Sequence, residues 1–256
     1  MSKNQVHDLR SAIELLQSMP GQYLETDVPA DPNAELSGVY RHIGAGGTVM
    51  RPTRIGPAMM FNSIKGHPDS RVPIGMMASR ERAAALLGAD PKKLGLFMND
   101  ALSNQIAPVM VDKAEAACQE VVHLASDPGF DIRTLLPAPT NTPEDAGPYI
   151  TLGLVYGADP ENGQEDVTIH RMCLQGKDEI SILFVKGRHL DTFRIKCEEA
   201  GKPMPITINI GLDPAIYISS CFEPPTTPLG LNELGVAGGL RGEPVKMVQA
   251  VSVNAK

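Results

Sequence analysis

Apolar residues Leu9, Ile13 and Leu16 recur at helical spacing, and Pro20-Gly21 blocks continuation, so a helix is predicted over 8–18. Tyr23 to Thr26 then reads as a short strand before a proline-rich turn at 29–32. A second helix is predicted over 34–43, closed by the glycines of Gly44-Ala45-Gly46-Gly47. Two continuous apolar runs, Ala58–Phe61 and Val72–Met77, predict buried strands on either side of a turn at Lys65-Gly66-His67-Pro68. Ser79 is placed to cap a following helix, and Gly88 falls where a left-handed residue ends it. Further helices are predicted over 91–103 and 113–124, with Pro108–Val111 between them. Strands alternating with helices imply an α/β domain over residues 1–125.

The pattern changes at residues 126–148, a proline-rich passage too stiff for a helix and read as an extended connector. Strands follow at 149–156, 167–174 and 179–185, joined by turns at 159–163 and 175–178. A helix over 189–200 ends at Gly201, a strand covers 204–210, and a helix starts at Asp213-Pro214. The loop 223–228 precedes a helix near 231–240, and a last strand is predicted over 244–253. Short antiparallel strands of this kind suggest a small sheet or barrel over 149–256, giving an α+β chain.

Composition narrows the function. With 256 residues, 42% of them hydrophobic, the chain can build a real core. A net charge of −7 argues against a nucleic-acid partner. No apolar run approaches membrane-spanning length, and the polar N-terminus does not read as a signal peptide. The four cysteines form no C-x-x-C pair, so free, mostly buried thiols in a reducing cytoplasm are expected. Aromatic residues at 4% and no tryptophan argue against a stacking platform.

Candidate chemistry concentrates between Asp166 and His189. Asp166, His170 and Arg171 share one predicted strand, while Arg188 and His189 stand where the next strand gives way to a helix. With Glu233, the set of one histidine and two carboxylates suits a hard divalent cation. Spacing alone does not show such a site, and the bland reading is of His189 as a helix N-cap neighbour and of Asp166 as a solvated turn residue. Alternation puts Arg171 on the face of Val167 and Ile169, where a guanidinium has to meet an anion. That anion is either a substrate or cofactor group held bidentately, or a protein carboxylate. Ser219, Ser220 and Cys221 lack a Gly-x-Ser-x-Gly elbow, so phosphate contact or helix packing suits them better than nucleophilic attack. The Gly44–Gly47 cluster has neither nucleotide-loop spacing and reads as a plain loop. His7, His42, His67 and His123 read as structural.

Five ordered motifs carry a resemblance. They are Gly147-Pro148-Tyr149-Ile150-Thr151, Asp166 with Arg171, Gly187-Arg188-His189, Gly211-Leu212-Asp213-Pro214-Ala215, and Glu233-Leu234 running on to Leu240-Arg241. The chain resembles the UbiD family of prenylated-FMN-dependent, non-oxidative decarboxylases. Residues 39–47 and 54–62 look like the branch acting on hydroxylated benzoates such as protocatechuate.

The resemblance implies an N-terminal α/β domain followed by a split β-barrel, similar to flavin reductases, that holds prenylated FMN. The cofactor phosphate would be bound through Mn²⁺ or Mg²⁺, with K⁺ nearby. Metal ligands would be Asp166, where the family usually has Asn, together with His189 and Glu233. Cofactor contacts would fall on Thr168, Ile169, His170, Arg171, Leu183, Phe184, Val185, Arg188, His189, Ser219 and Ser220. Arg171 would be the catalytic arginine, orienting the carboxylate of a small aromatic acid.

The family's acidic motif that supplies the proton is absent, and the barrel is expected to be incomplete. The chain therefore reads as an N-terminal half, whether a subunit of a split enzyme, a truncated gene product or a fragment of a longer reading frame, and as part of a homo-oligomer or of an assembly with a partner carrying the C-terminal domain. Its exposed strand edges would promote association. The alternatives are a non-catalytic flavin- or metal-binding module or inactive fragment, or simple flavin reduction.

Overall fold

Asp8 starts the first helix, α1 (Leu9–Gln17), with a reciprocal cap: its carboxylate accepts from Ser11 N at 2.7 Å, and Ser11 Oγ accepts from Asp8 N at 3.1 Å. The helix buries Ala12, Leu15 and Leu16. The computed structural model describes residues 5–46, 55–222, 228 and 230–256. Residues 1–4, Gly47, Arg54 and most of the proline-rich loop at 223–228 lie outside this set, so their sequence readings are not addressed by it.

Strand β1 (Tyr23–Thr26) pairs in parallel with β2 (Ala58–Phe61), which pairs antiparallel with β3 (Val72–Ile74). Helix α2 (Glu35–Ala45) crosses between β1 and β2, and β2 is buried along its whole length. Ser79 Oγ caps α3 (Arg80–Leu86) by accepting from Arg82 N at 3.1 Å, and Gly88 adopts φ 69°. The helix expected over 91–103 opens with a 3₁₀ turn, Pro91–Lys93, before α4 (Leu94–Ser103).

The expected helix over 113–124 does not form. Two 3₁₀ turns, Lys113–Glu115 and Ala117–Gln119, replace it, and Val121, Val122 and Leu124 are exposed. A segment with no apolar face packed against the core gains too little to hold a helix. The connector does contain one helical turn, α5 (Ile132–Leu135), whose cap Asp131 accepts from Arg133 N at 2.9 Å.

The second sheet has the order β7-β6-β5-β8, all antiparallel: β5 (Tyr149–Ala158), β6 (Glu165–Leu174), β7 (Ile180–Ile182) and β8 (Ile206–Asn209). The register shifts between Ile150 and Gly153, where a Cβ on Gly153 would lie 2.1 Å from the Met172 methyl. On one face Val155, Met172 and Leu174 pack with Leu190 and Phe193 of α6 (His189–Glu199). On the other, Leu154, Tyr156 and Val167 pack with Tyr217 of α7 (Pro214–Ser219) and Leu234 of α8 (Glu233–Arg241).

Helix α8 is buried along nearly its whole length. Val236 and Leu240 join Leu94 and Ala101 of α4 and Ala215 of α7 in one cluster. Its glycines allow the close approach: a Cβ on Gly239 would stand 2.7 Å from the Ala101 carbonyl oxygen. The Arg241 guanidinium, with Nε 2.7 Å from Asp213 Oδ2, forms a buried bidentate pair with Asp213 at the start of α7.

The last strand, expected over 244–253, shrinks to β9 (Lys246–Met247), paired in parallel with β4 (Val109–Met110). Beyond it, Ala250 N bonds to Ala255 O at 2.9 Å, so the chain turns back on itself instead of extending. Cys173 and Cys197 are buried as expected, whereas Cys118 and Cys221 are exposed. Among the described residues no helix is long and apolar enough to cross a membrane.

Candidate functional site

A cavity of about 580 Å³ opens where β6, the turn before α6, the end of α7 and the start of α8 meet. Asp166, Thr168 and His170 reach it from β6, Phe184 and Val185 from the segment after β7, and Arg188 and His189 from the α6 entry. Ser220 and Glu233 close the far side. Gly187 (φ 81°) makes the turn that aims Arg188 and His189, and Asp191 Oδ2 ties the turn to the helix by accepting from Gly187 N at 3.0 Å.

The three proposed metal ligands line this one cavity. His189 Nδ1 lies 3.3 Å from Asp166 Oδ1. Burial pushes the Asp166 carboxyl up, and the facing His189 opposes that shift. Glu233 is 4% exposed, and its Oε2 has no hydrogen-bond partner. Burial, added to by the nearby Asp166 charge, pushes Glu233 up to about 7. An orphaned, buried carboxylate oxygen facing a second carboxylate is a site that a cation would satisfy. Among the described residues, however, no group of three His, Cys, Asp or Glu side chains is drawn together tightly enough to hold a metal ion. Two buried carboxylates with no cation between them repel, and His189 faces only Asp166, which opposes that closure.

His170 Nδ1 lies 3.2 Å from the Leu183 carbonyl. Because a carbonyl only accepts, Nδ1 carries the proton and Nε2 is left as an acceptor, and Nε2 is buried without a partner. Burial also lowers the His170 pKa, keeping the ring neutral. Phe184 packs edge-on against it at 5.1 Å between centroids.

Other expected residues sit differently. Arg171 is exposed and outside the cavity lining. It lies opposite the stretch of β5 where the register shifts. Leu183 is 73% exposed and also outside the lining. Ser219 is fully buried, with its hydroxyl donating to Ile216 O at 2.9 Å. Ser220 lines the cavity while donating to Tyr217 O at 2.8 Å. Sequence reasoning missed Phe222 and Asp191, both in the lining. The Asp-x-x-Arg spacing of Asp191 and Arg194 was a usable signal for the second, since Arg194 Nη2 donates to Asp191 at 2.8 Å and this contact helps hold that carboxyl below the usual range.

Comparison with known proteins agrees over nearly the whole chain. Residues 13–102 match the 3-octaprenyl-4-hydroxybenzoate carboxy-lyase N-terminal domain, and residues 109–256 match the Rift-related domain of the same carboxy-lyase family. A gallate decarboxylase of Lactiplantibacillus plantarum is 56% identical over 97% of this chain and 51% of its own length. The apo 3,4-dihydroxybenzoic acid decarboxylase of Enterobacter cloacae superposes with a TM-score of 0.92 at 64% identity, over 98% of this chain and 52% of that one. An evolved dimeric form of the UbiD-class enzyme HmfF from Pelotomaculum thermopropionicum, in complex with prFMN, gives 0.86 at 28% identity, over 97% of this chain and 54% of that one. The chain thus spans about half the length of the relatives it matches, and it belongs to the UbiD family of carboxy-lyases.

Proposed function

We propose that this chain is the cofactor-holding half of a lyase that removes carbon dioxide reversibly from a hydroxylated aromatic acid such as 3,4-dihydroxybenzoate or gallate. The observation carrying this reading is the cavity at β6, where Asp166, His189 and the orphaned Glu233 oxygen form one anionic pole. Prenylated FMN would lie in the cavity with its phosphate held through Mn²⁺ or Mg²⁺ by those three residues, and K⁺ close by. When bound, the flavin supplies the electron sink for loss of carbon dioxide.

The chain's own residues bind and orient. His170 Nε2 accepts a hydrogen bond from a ligand donor. Phe184, packed on the His170 ring, and Phe222 give the lining apolar surface, and Arg188 and Ser220 add polar contacts to the cofactor. Arg171, on the open side, meets the substrate carboxylate once the remainder of the protein covers it. The proton that replaces the carboxylate comes from outside the residues named here. The sheet β7-β6-β5-β8 forms part of a split barrel similar to that of flavin reductases, with residues 1–125 as a preceding α/β domain and 126–148 as the connector. Its remaining strands and the C-terminal domain come from the rest of the enzyme, on the same polypeptide or on a partner subunit, in a homo-oligomer or a mixed assembly.

The test is to co-express the chain with a C-terminal half and a source of prenylated flavin, then measure bound-flavin absorbance and carbon dioxide release from both acids. Flavin binding with turnover supports the reading. Flavin or metal binding without turnover favours a non-catalytic module, for which the absence of an assigned proton donor is the motivating observation. Binding of neither flavin nor metal defeats both.

A further inference from the structure

Two neighbouring residue pairs meet at the cation pole. On β6, Glu165 precedes Asp166, and at the start of α8, Asn232 precedes Glu233. The inner members are the two carboxylates, which repel one another. The outer members attract: Asn232 Nδ2 donates to Glu165 Oε2 at 3.2 Å. The other end of the same amide caps the helix, Asn232 Oδ1 accepting from Leu234 N at 2.8 Å. Glu165 is fixed in turn, since Lys256 Nζ donates to its Oε1 at 2.6 Å and the Tyr156 hydroxyl is bonded to it as well.

We infer that Asn232 and Glu165 are positioning residues, a strut that sets the separation of Asp166 and Glu233 and so prepares the site for its divalent cation. The inference rests on the cation reading above and names the residues that serve it without touching the ion. One side chain spans a helix start and a strand start. Its Oδ1 fixes where the first turn of α8 begins, and its Nδ2 fixes that turn against β6. Without the strut, repulsion between the carboxylates would drive the helix start and the strand apart. Outer partners of this kind typically change metal affinity by about 10–100-fold.

The experiment is titration of the complete protein with Mn²⁺, read by electron paramagnetic resonance of the free ion, with melting temperature alongside. Asn232→Ser keeps a good helix cap but cannot reach Glu165, and Glu165→Ala breaks the strut from the strand side with the cap untouched. Each is expected to raise the Mn²⁺ dissociation constant about tenfold or more at near-constant melting temperature. The double variant should be no weaker than the worse single one. Glu165→Gln retains an acceptor for Asn232 and should stay within about threefold of wild type, a rescue that a purely electrostatic effect of Glu165 would not give. Wild-type Mn²⁺ affinity in both strut-breaking variants, with binding still lost in Glu233→Gln, overturns the strut alone. No binding by the wild type, or unchanged binding in Glu233→Gln, overturns the cation reading and the strut with it.

Discussion

The two walls of the cavity are built on opposite terms. At one, Glu233 begins a helix that is buried on nearly every side and locked to α7 through Asp213 and Arg241. At the other, Val185 of the lining is 55% exposed, and just beyond the lining Arg171 and Leu183 (73%) stand open beside the three-residue edge strand β7. The closed wall carries the buried Glu233 carboxylate, and low dielectric there would strengthen its proposed pull on an ion. The open wall carries apolar side chains and the Arg171 guanidinium, all exposed. One wall is defined by burial and the other by exposure.

The contrast can be broken at the closed wall first. Glu233→Ala should weaken Mn²⁺ binding by more than about 100-fold, because loss of outer partners alone costs up to that much; binding within about threefold of wild type would remove the closed wall's assigned role. Gly239→Ala would push a methyl against the Ala101 carbonyl, and overpacking of this kind costs about 1–3 kcal/mol in denaturant unfolding. Because it displaces the helix that carries Glu233, Mn²⁺ affinity should fall with it.

Acidity gives a third measurement. In metal-free protein Glu233 lies at about 7, above its ordinary 4.5, so the folded state binds its proton more tightly than the unfolded state does. Its contribution is favourable below about pH 4.5 and is lost as pH rises through 7. Glu233→Gln should therefore raise the melting temperature of chelator-treated protein at pH 8 and leave it nearly unchanged at pH 4, by calorimetry. Equal shifts at both pH values would mean that the carboxylate is not under strain. The smallest effect belongs to the open wall: Leu183→Ser should change the chain's own stability by less than about 0.5 kcal/mol. A larger loss on urea unfolding would mean that Leu183 is already packed.

What was legible in the sequence was local. The cap at Ser79, the stop at Gly88 and the helix starting at His189 were readable because one or two residues determine each of them. The helix expected over 113–124 and the long last strand failed because neither finds a surface to pack on or a partner longer than β4. Asp166 and His189 were readable as candidates, but only folding sets them 3.3 Å apart across 23 residues. Exposure of Arg171 was not readable from alternation, which places it on the same face as the buried Val167. The bond from Asn232 to Glu165 crosses 67 residues and was equally invisible.

The burial of α8 also has a meaning in time. A helix whose glycines rest on neighbouring carbonyls cannot slide or fray without opening the shared cluster of α4, α7 and α8, so its amide hydrogens should exchange with solvent only through openings that approach global unfolding. Amides of β7 and the segment after it should exchange orders of magnitude sooner. The molecule would then keep two clocks, a slow one at the carboxylate that anchors the charge and a fast one at the rim where a substrate would arrive.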